Sequence, residues 1–187
     1  MTDQELMDAI CNGDQTAYQV VVKRFLASIS HYAYRLLGNS KDTEDIAQET
    51  FLRVWLNASS WRGDQAMLST WIYRIAHNLC IDYLRKHGRM QTQDRFEEQS
   101  SSEANPGNTA DGDGDGDDKV AMLSQSIDKL PENQRSALAL CHYQNFSNKE
   151  AAAIMGVSVK ALESLISRAK RTLKNSVAAQ TETLKQQ

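Results

Sequence analysis

Much is missing from this sequence, and each absence narrows the field. No apolar run approaches the roughly 18 residues needed to span a membrane. The opening Met1-Thr2-Asp3-Gln4-Glu5 is acidic, where a signal peptide needs a basic start and an apolar core. Three cysteines, Cys11, Cys80 and Cys141, are odd in number, widely spaced and without a C-x-x-C, which disfavours both a disulfide framework and a zinc ribbon. Reduced thiols in a cytoplasm, with no membrane insertion, are the expectation. No nucleophile motif, phosphate-cradling glycine loop or paired-carboxylate signature is present, so no catalytic residue, metal or cofactor is expected. Strand-type alternation is absent too, and proline occurs only twice.

What is present is helical periodicity and uneven charge. Residues 1–93 carry 10 Lys+Arg and 10 Asp+Glu, residues 94–128 carry 2 and 10, and residues 129–187 carry 9 and 4. A neutral block, an acidic one and a basic one predict an all-α chain of two small helical domains, 1–93 and 119–187, joined by a flexible acidic linker over 94–118. That linker holds Ser100-Ser101-Ser102, Asn105-Pro106-Gly107 and an Asp/Gly alternation from Asp111 to Asp118. It has too little apolar area to offset the entropy of ordering. The alternation imitates a calcium loop through Gly116, but Met122 stands where a bidentate Glu is required.

In the first block, Thr2-x-x-Glu5 is a capping box opening a short helix that stops near Gly13. A second helix runs from after Asp14 to Leu37, with Val21, Phe25, Ile29, Tyr32 and Leu36 spaced by three and four. A third covers about Asp42 to Leu56, its apolar stripe distinct from a face bearing Asp45, Gln48, Glu49 and Leu52. A glycine turn at Trp61-Arg62-Gly63-Asp64 leads to a helix over about Ser69–Lys86, with Arg74, Asn78 and Asp82 recurring every four residues on its polar face. In the last block, Leu130-Pro131 opens a helix to Tyr143, and Ser147-x-x-Glu150 caps a helix ending at Met155. Gly156 allows a sharp turn, and Ser158 caps a final helix to about Asn175 followed by a frayed tail. Helix, three-residue turn, helix is the arrangement that puts a second helix into the major groove. On that helix Leu162, Leu165, Ile166, Ala169 and Leu173 fall on one side, while Lys160, Ser164, Ser167 and Arg171 point the other way with Arg168 at their edge.

These motifs together resemble the extracytoplasmic-function subfamily of bacterial sigma-70 RNA polymerase sigma factors. The resemblance rests on Asp42-x-Glu44-Asp45-Ile46-x-Gln48-Glu49-x-Phe51, on Trp61-Arg62 followed by Ser69-Thr70-Trp71-Ile72-Tyr73-Arg74-Ile75-Ala76-x-Asn78 and Asp82-Tyr83-Leu84-Arg85, and on Leu130-Pro131, Ser147-x-x-Glu150 and Gly156-Val157-Ser158. It covers about residues 5–89 and 120–174. It implies a non-enzymatic initiation factor that binds core RNA polymerase, directs it to promoter DNA and assists melting under an anti-sigma partner. Asp42, Glu44, Asp45, Gln48 and Glu49 would dock on the clamp of the largest catalytic subunit, where carboxylates can pair with arginines. Trp61, Arg62, Tyr73, Arg74, His77, Asn78 and Arg85 would contact the −10 element, the loop from Trp61 to Leu68 holding a flipped base. Trp61 and Trp71 equally suit a core. Lys160, Ser164, Ser167, Arg168 and Arg171 would meet the −35 element. Ala161, Glu163 and Leu165 stand where many members of that family carry Thr, Lys and Arg. The acidic linker would imitate nucleic acid in a basic channel, or serve solubility alone. The rival functions are a free-standing helix-turn-helix regulator with an N-terminal dimerisation bundle, and a calcium-responsive adaptor.

Overall fold

The computed structural model describes the backbone of residues 1–94 and 116–185, and the side chains of 1–88, 120–179 and 181–183. The expected linker and its Asp/Gly alternation lie almost wholly outside the described residues. Eight α-helices occur among the described residues: α1 (Asp3–Cys11), α2 (Gln15–Leu37), α3 (Ser40–Leu56), α4 (Leu68–Asp94), α5 (Gly116–Asp128), α6 (Glu132–Leu138), α7 (Asn148–Met155) and α8 (Val159–Lys185). No strand occurs among the described residues.

Helix starts follow the local chemistry. Thr2 and Glu5 form a reciprocal capping box, as do Ser147 and Glu150. The Asp14 side chain accepts from the amides of Thr16 and Ala17, and Asn39 from that of Asp42. α2 ends on Gly38 and α7 on Gly156, both in the left-handed region. Two helices run past their expected ends. α4 continues to Asp94 rather than stopping near Lys86, and α8 reaches Lys185 in place of a frayed tail after Asn175. Neither stretch contains a proline, and Gly88 alone does not break α4.

α1, α2, α3 and the first half of α4 form a bundle around Leu6, Val21, Ile29, Tyr32, Leu36, Val54 and Ile72, all essentially inaccessible to solvent. α6, α7 and α8 enclose Leu140, Ile154 and Leu162. A smaller cluster of Leu130, Leu138 and Ala169 seats α5 against α8. The two groups of helices do not stand apart. α4 packs against α7, and one continuous apolar cluster runs through both.

Between α6 and α7 the chain makes a single π-helical turn, Ala139–Tyr143, followed by Asn145 at φ 58°. Such turns re-aim side chains and recur at functional sites. Here the turn sends Tyr143, Gln144 and Phe146 toward the N-terminal bundle.

Gly156 has φ 68° and open space where a Cβ would stand. Gly156→Ala therefore tests backbone strain alone, and should cost about 1–2 kcal/mol. Urea unfolding of the purified protein would read this, and an unchanged midpoint would refute it.

Candidate functional site: an apolar groove and two polar helix faces

The first surface lies between α2 and α3. A groove of about 790 Å³ is lined by Tyr18, Val22, Leu26, Phe51 and Leu52, with Glu44 and Gln48 at its edge. Leu26, Tyr34 and Leu52 are 43%, 43% and 49% exposed. Three large apolar side chains around one groove, rimmed by acid, are the mark of a protein interface rather than of chance exposure. Asp45 is exposed, and Glu49 pairs with Arg53 at 2.8 Å across one helical turn. That pair is open to solvent and holds Glu49 only weakly. Asp42 differs from its neighbours. Its carboxylate accepts from the Tyr83 hydroxyl and from Asn39 Nδ2, so it ties the start of α3 to α4. The Tyr83 bond holds the Asp42 carboxyl below its usual pKa, while burial and then Asp42 push the Tyr83 phenol up to about 12. Asp42 is thus a structural fastener and not a free clamp contact. The expectation picked out the acidic rim and Leu52; it missed Val22, Leu26 and Tyr34, which come from α2. Their only trace in the sequence is an apolar residue off the buried stripe of α2.

The second surface is the polar face of α4 with the loop before it. Arg74, Asn78 and Arg85 are exposed on α4, and Arg62 is exposed in the loop. Three of the residues expected to contact DNA are buried in this structure. Trp61 is 8% exposed, and its indole Nε1 donates to the Ala66 carbonyl at 3.1 Å. It anchors the loop from inside, and Gly63 is needed above it because a Cβ there would lie 2.9 Å from the Trp61 ring. His77 is 4% exposed, with its Nδ1 2.8 Å from the Tyr32 hydroxyl. Burial, with a smaller contribution from Arg85, lowers its pKa to about 4. His77 is a neutral core residue, not a base contact.

Tyr73 is 3% exposed for a different reason. Its ring meets Phe146 edge-on at 4.8 Å, and its hydroxyl donates to Gln144 Oε1 at 2.7 Å. Tyr32 lies behind it at 5.6 Å. Nearby, the Arg35 guanidinium sits 3.4 Å from the centroid of the Tyr143 ring. The turn after α6 thus covers one edge of the α4 face. Arg74 and Asn78 stay open beside it.

The third surface is α8. Lys160, Ser164, Ser167, Arg168 and Arg171 all stand exposed, while Leu162 and Ala169 are buried behind them. Ser158 caps the helix by accepting from the Ala161 amide at 3.1 Å. The structure therefore brings together all five residues expected on this face.

A helical bundle with an acid-rimmed apolar groove, a basic helix beside an anchored loop, and a capped helix-turn-helix define a two-part DNA-binding protein that also grips a protein partner. The comparisons agree in detail. Residues 21–90 match the family model for sigma-70 region 2, and residues 121–173 match that for sigma-70 region 4. The chain is 31% identical over 187 residues to the ECF RNA polymerase sigma-E factor of Escherichia coli K12, covering 95% of both chains, and equally so to that of Salmonella typhimurium. It is 30% identical over 173 residues to ECF RNA polymerase sigma factor SigE of Mycolicibacterium smegmatis, spanning 65% of that relative's length. Among solved structures, CnrH in complex with the cytosolic domain of CnrY aligns at a TM-score of 0.68 and 25% identity, over 95% of this chain and 97% of that one. The sigma factor RpoE of Bartonella quintana, solved with the anti-sigma factor NepR, shares the fold at a TM-score of 0.69 and 23% identity, over 86% and 96%. The protein belongs to the extracytoplasmic-function RNA polymerase sigma factors. It is a transcription initiation factor and not an enzyme. No described helix is long and apolar enough to cross a membrane.

Two outcomes follow from this geometry. Below pH 6.5 the unfolded chain takes up a proton that buried His77 refuses, so stability should fall between pH 6.5 and about 4 by on the order of 3 kcal/mol. His77→Gln keeps a bonding partner for Tyr32 and should remove that part of the slope in chemical unfolding at a series of pH values. Parallel slopes for both proteins would refute the assignment. Phe146→Ala with Gln144→Ala should separate the C-terminal helices from α4, raising the radius of gyration in X-ray scattering with helix content unchanged. An unaltered radius would show that other contacts hold the closed form.

Proposed function

We propose that the α2–α3 groove receives the coiled-coil clamp of the largest catalytic subunit of core RNA polymerase. Its apolar floor would bury side chains of the clamp, and Glu44, Asp45, Gln48 and Glu49 would meet clamp arginines at the rim. Arg62, Arg74, Asn78 and Arg85 would then face the −10 element. The loop pinned by Trp61 offers exposed Arg62, Gln65 and Met67 around a base taken from the non-template strand. Capturing that base offsets an unstacking cost of roughly a few kcal/mol, so it assists melting. The outward face of α8 would read the −35 element as duplex. The boundaries of the two functional units, 1–93 and 119–187, belong to this reading, as does a cytoplasmic location.

The observation that carries it is the pairing of an acid-rimmed apolar groove with two separate basic faces. A free-standing regulator has use for α8 but none for the groove. Tyr73 cannot lie under Phe146 and reach DNA at once, so the closed form has to open along α4 before the whole −10 face is presented. The complex of the Bartonella RpoE with the anti-sigma factor NepR, and that of CnrH with the cytosolic domain of CnrY, support control of this chain by an anti-sigma protein.

Asp45→Arg with Glu49→Arg should leave the fold intact and weaken core binding by roughly ten- to a hundredfold, in line with the loss of two charge-assisted contacts. Competition for core polymerase against the unaltered chain measures this. The broader test is transcription by core polymerase plus this chain from a promoter pool. Failure to associate with core or to direct initiation would sink the reading.

A further inference from the structure

Glu163 is the one acid on the exposed side of α8 within its first four turns. At about 100° per residue it lies roughly 60° from Lys160 and 40° from Ser167, at the margin of the face that carries the basic and hydroxyl groups, on the side toward Ile166. It makes neither an ion pair nor a hydrogen bond. It does not cap the helix, because Ser158 already satisfies the Ala161 amide. Nor does it neutralise Lys160, three residues earlier, with which it forms no pair. A bare carboxylate on a face that approaches phosphates is a standing electrostatic cost, unless the groove offers it a donor.

We infer that Glu163 determines specificity in the −35 element by accepting a hydrogen bond from the N4 amino group of a cytosine. Among base edges in the major groove, guanine shows two acceptors, and thymine an acceptor and a methyl group. Adenine shows a donor beside the N7 acceptor, which repels a carboxylate. Cytosine shows its donor with an acceptor on one side only, the O6 of its paired guanine, whereas the adenine donor is flanked by N7 and by the O4 of its paired thymine. Ser164 is placed to leave this contact to its neighbour, since its hydroxyl hydrogen goes to the Lys160 carbonyl at 3.0 Å. The inference rests on the reading of α8 as the −35 helix.

Holoenzyme assembled from core polymerase and the full chain would be used to select promoters from a library randomised across the upstream element. The unaltered chain should require one cytosine. Glu163→Gln should lose that requirement or move it to adenine, and Glu163→Lys should move it to guanine. The shift at that single position should be roughly five- to a hundredfold. If upstream selection persists but is the same for all three proteins, the Glu163 inference fails and the −35 reading stands. If Glu163→Lys raises binding uniformly with no change of base, the carboxylate only repels phosphate and the inference fails. If the unaltered holoenzyme selects no upstream sequence at all, the −35 reading fails with it.

Discussion

One aromatic ring joins the two groups of helices. Tyr73 rests on Tyr32 in the bundle behind it and under Phe146 from the turn before α7, with its hydroxyl committed to Gln144. Edge-to-face aromatic contacts of this kind contribute about 0.5–1.5 kcal/mol beyond their buried area. They add to the packing of α4 on α7 and to the apolar cluster that runs through both groups of helices. This arrangement covers one edge of the polar face of α4 and leaves the outward face of α8 and the α2–α3 groove exposed.

The fold was readable because it is written in local chemistry. The capping boxes Thr2–Glu5 and Ser147–Glu150, the Gly38 and Gly156 stops, and the three-and-four spacing of Val21, Phe25, Ile29, Tyr32 and Leu36 each act within one or two helical turns. The misjudged ends have the same origin. α4 and α8 outrun their apolar stripes, and a polar stretch without proline gives no local signal of where a helix stops.

The functional surfaces were less evenly legible. The residues of α8 were placed correctly, since an outward face on a packed helix follows from periodicity. The groove was half seen: its acidic rim sits on α3, but Val22, Leu26 and Tyr34 reach it from a helix whose own pattern announces only the buried side. On α4 and the loop before it, the sequence left burial open, because Trp61, Tyr73 and His77 are amphipathic residues as suited to a core as to a base. Trp61 sends its indole N–H to the Ala66 carbonyl, and His77 meets the Tyr32 hydroxyl 45 residues away in the chain.

By itself the sequence determined the helices, their caps, the separation of charge and the helix-turn-helix, since all of these depend on neighbours a few residues apart. Only the tertiary structure decided that His77 is neutral and buried, that Asp42 fastens α3 to Tyr83, and that Tyr73 is shared between two groups of helices. Those outcomes depend on which side chain arrives from a distant segment, and burial changes the energy of a polar group by more than its own sequence context can reveal.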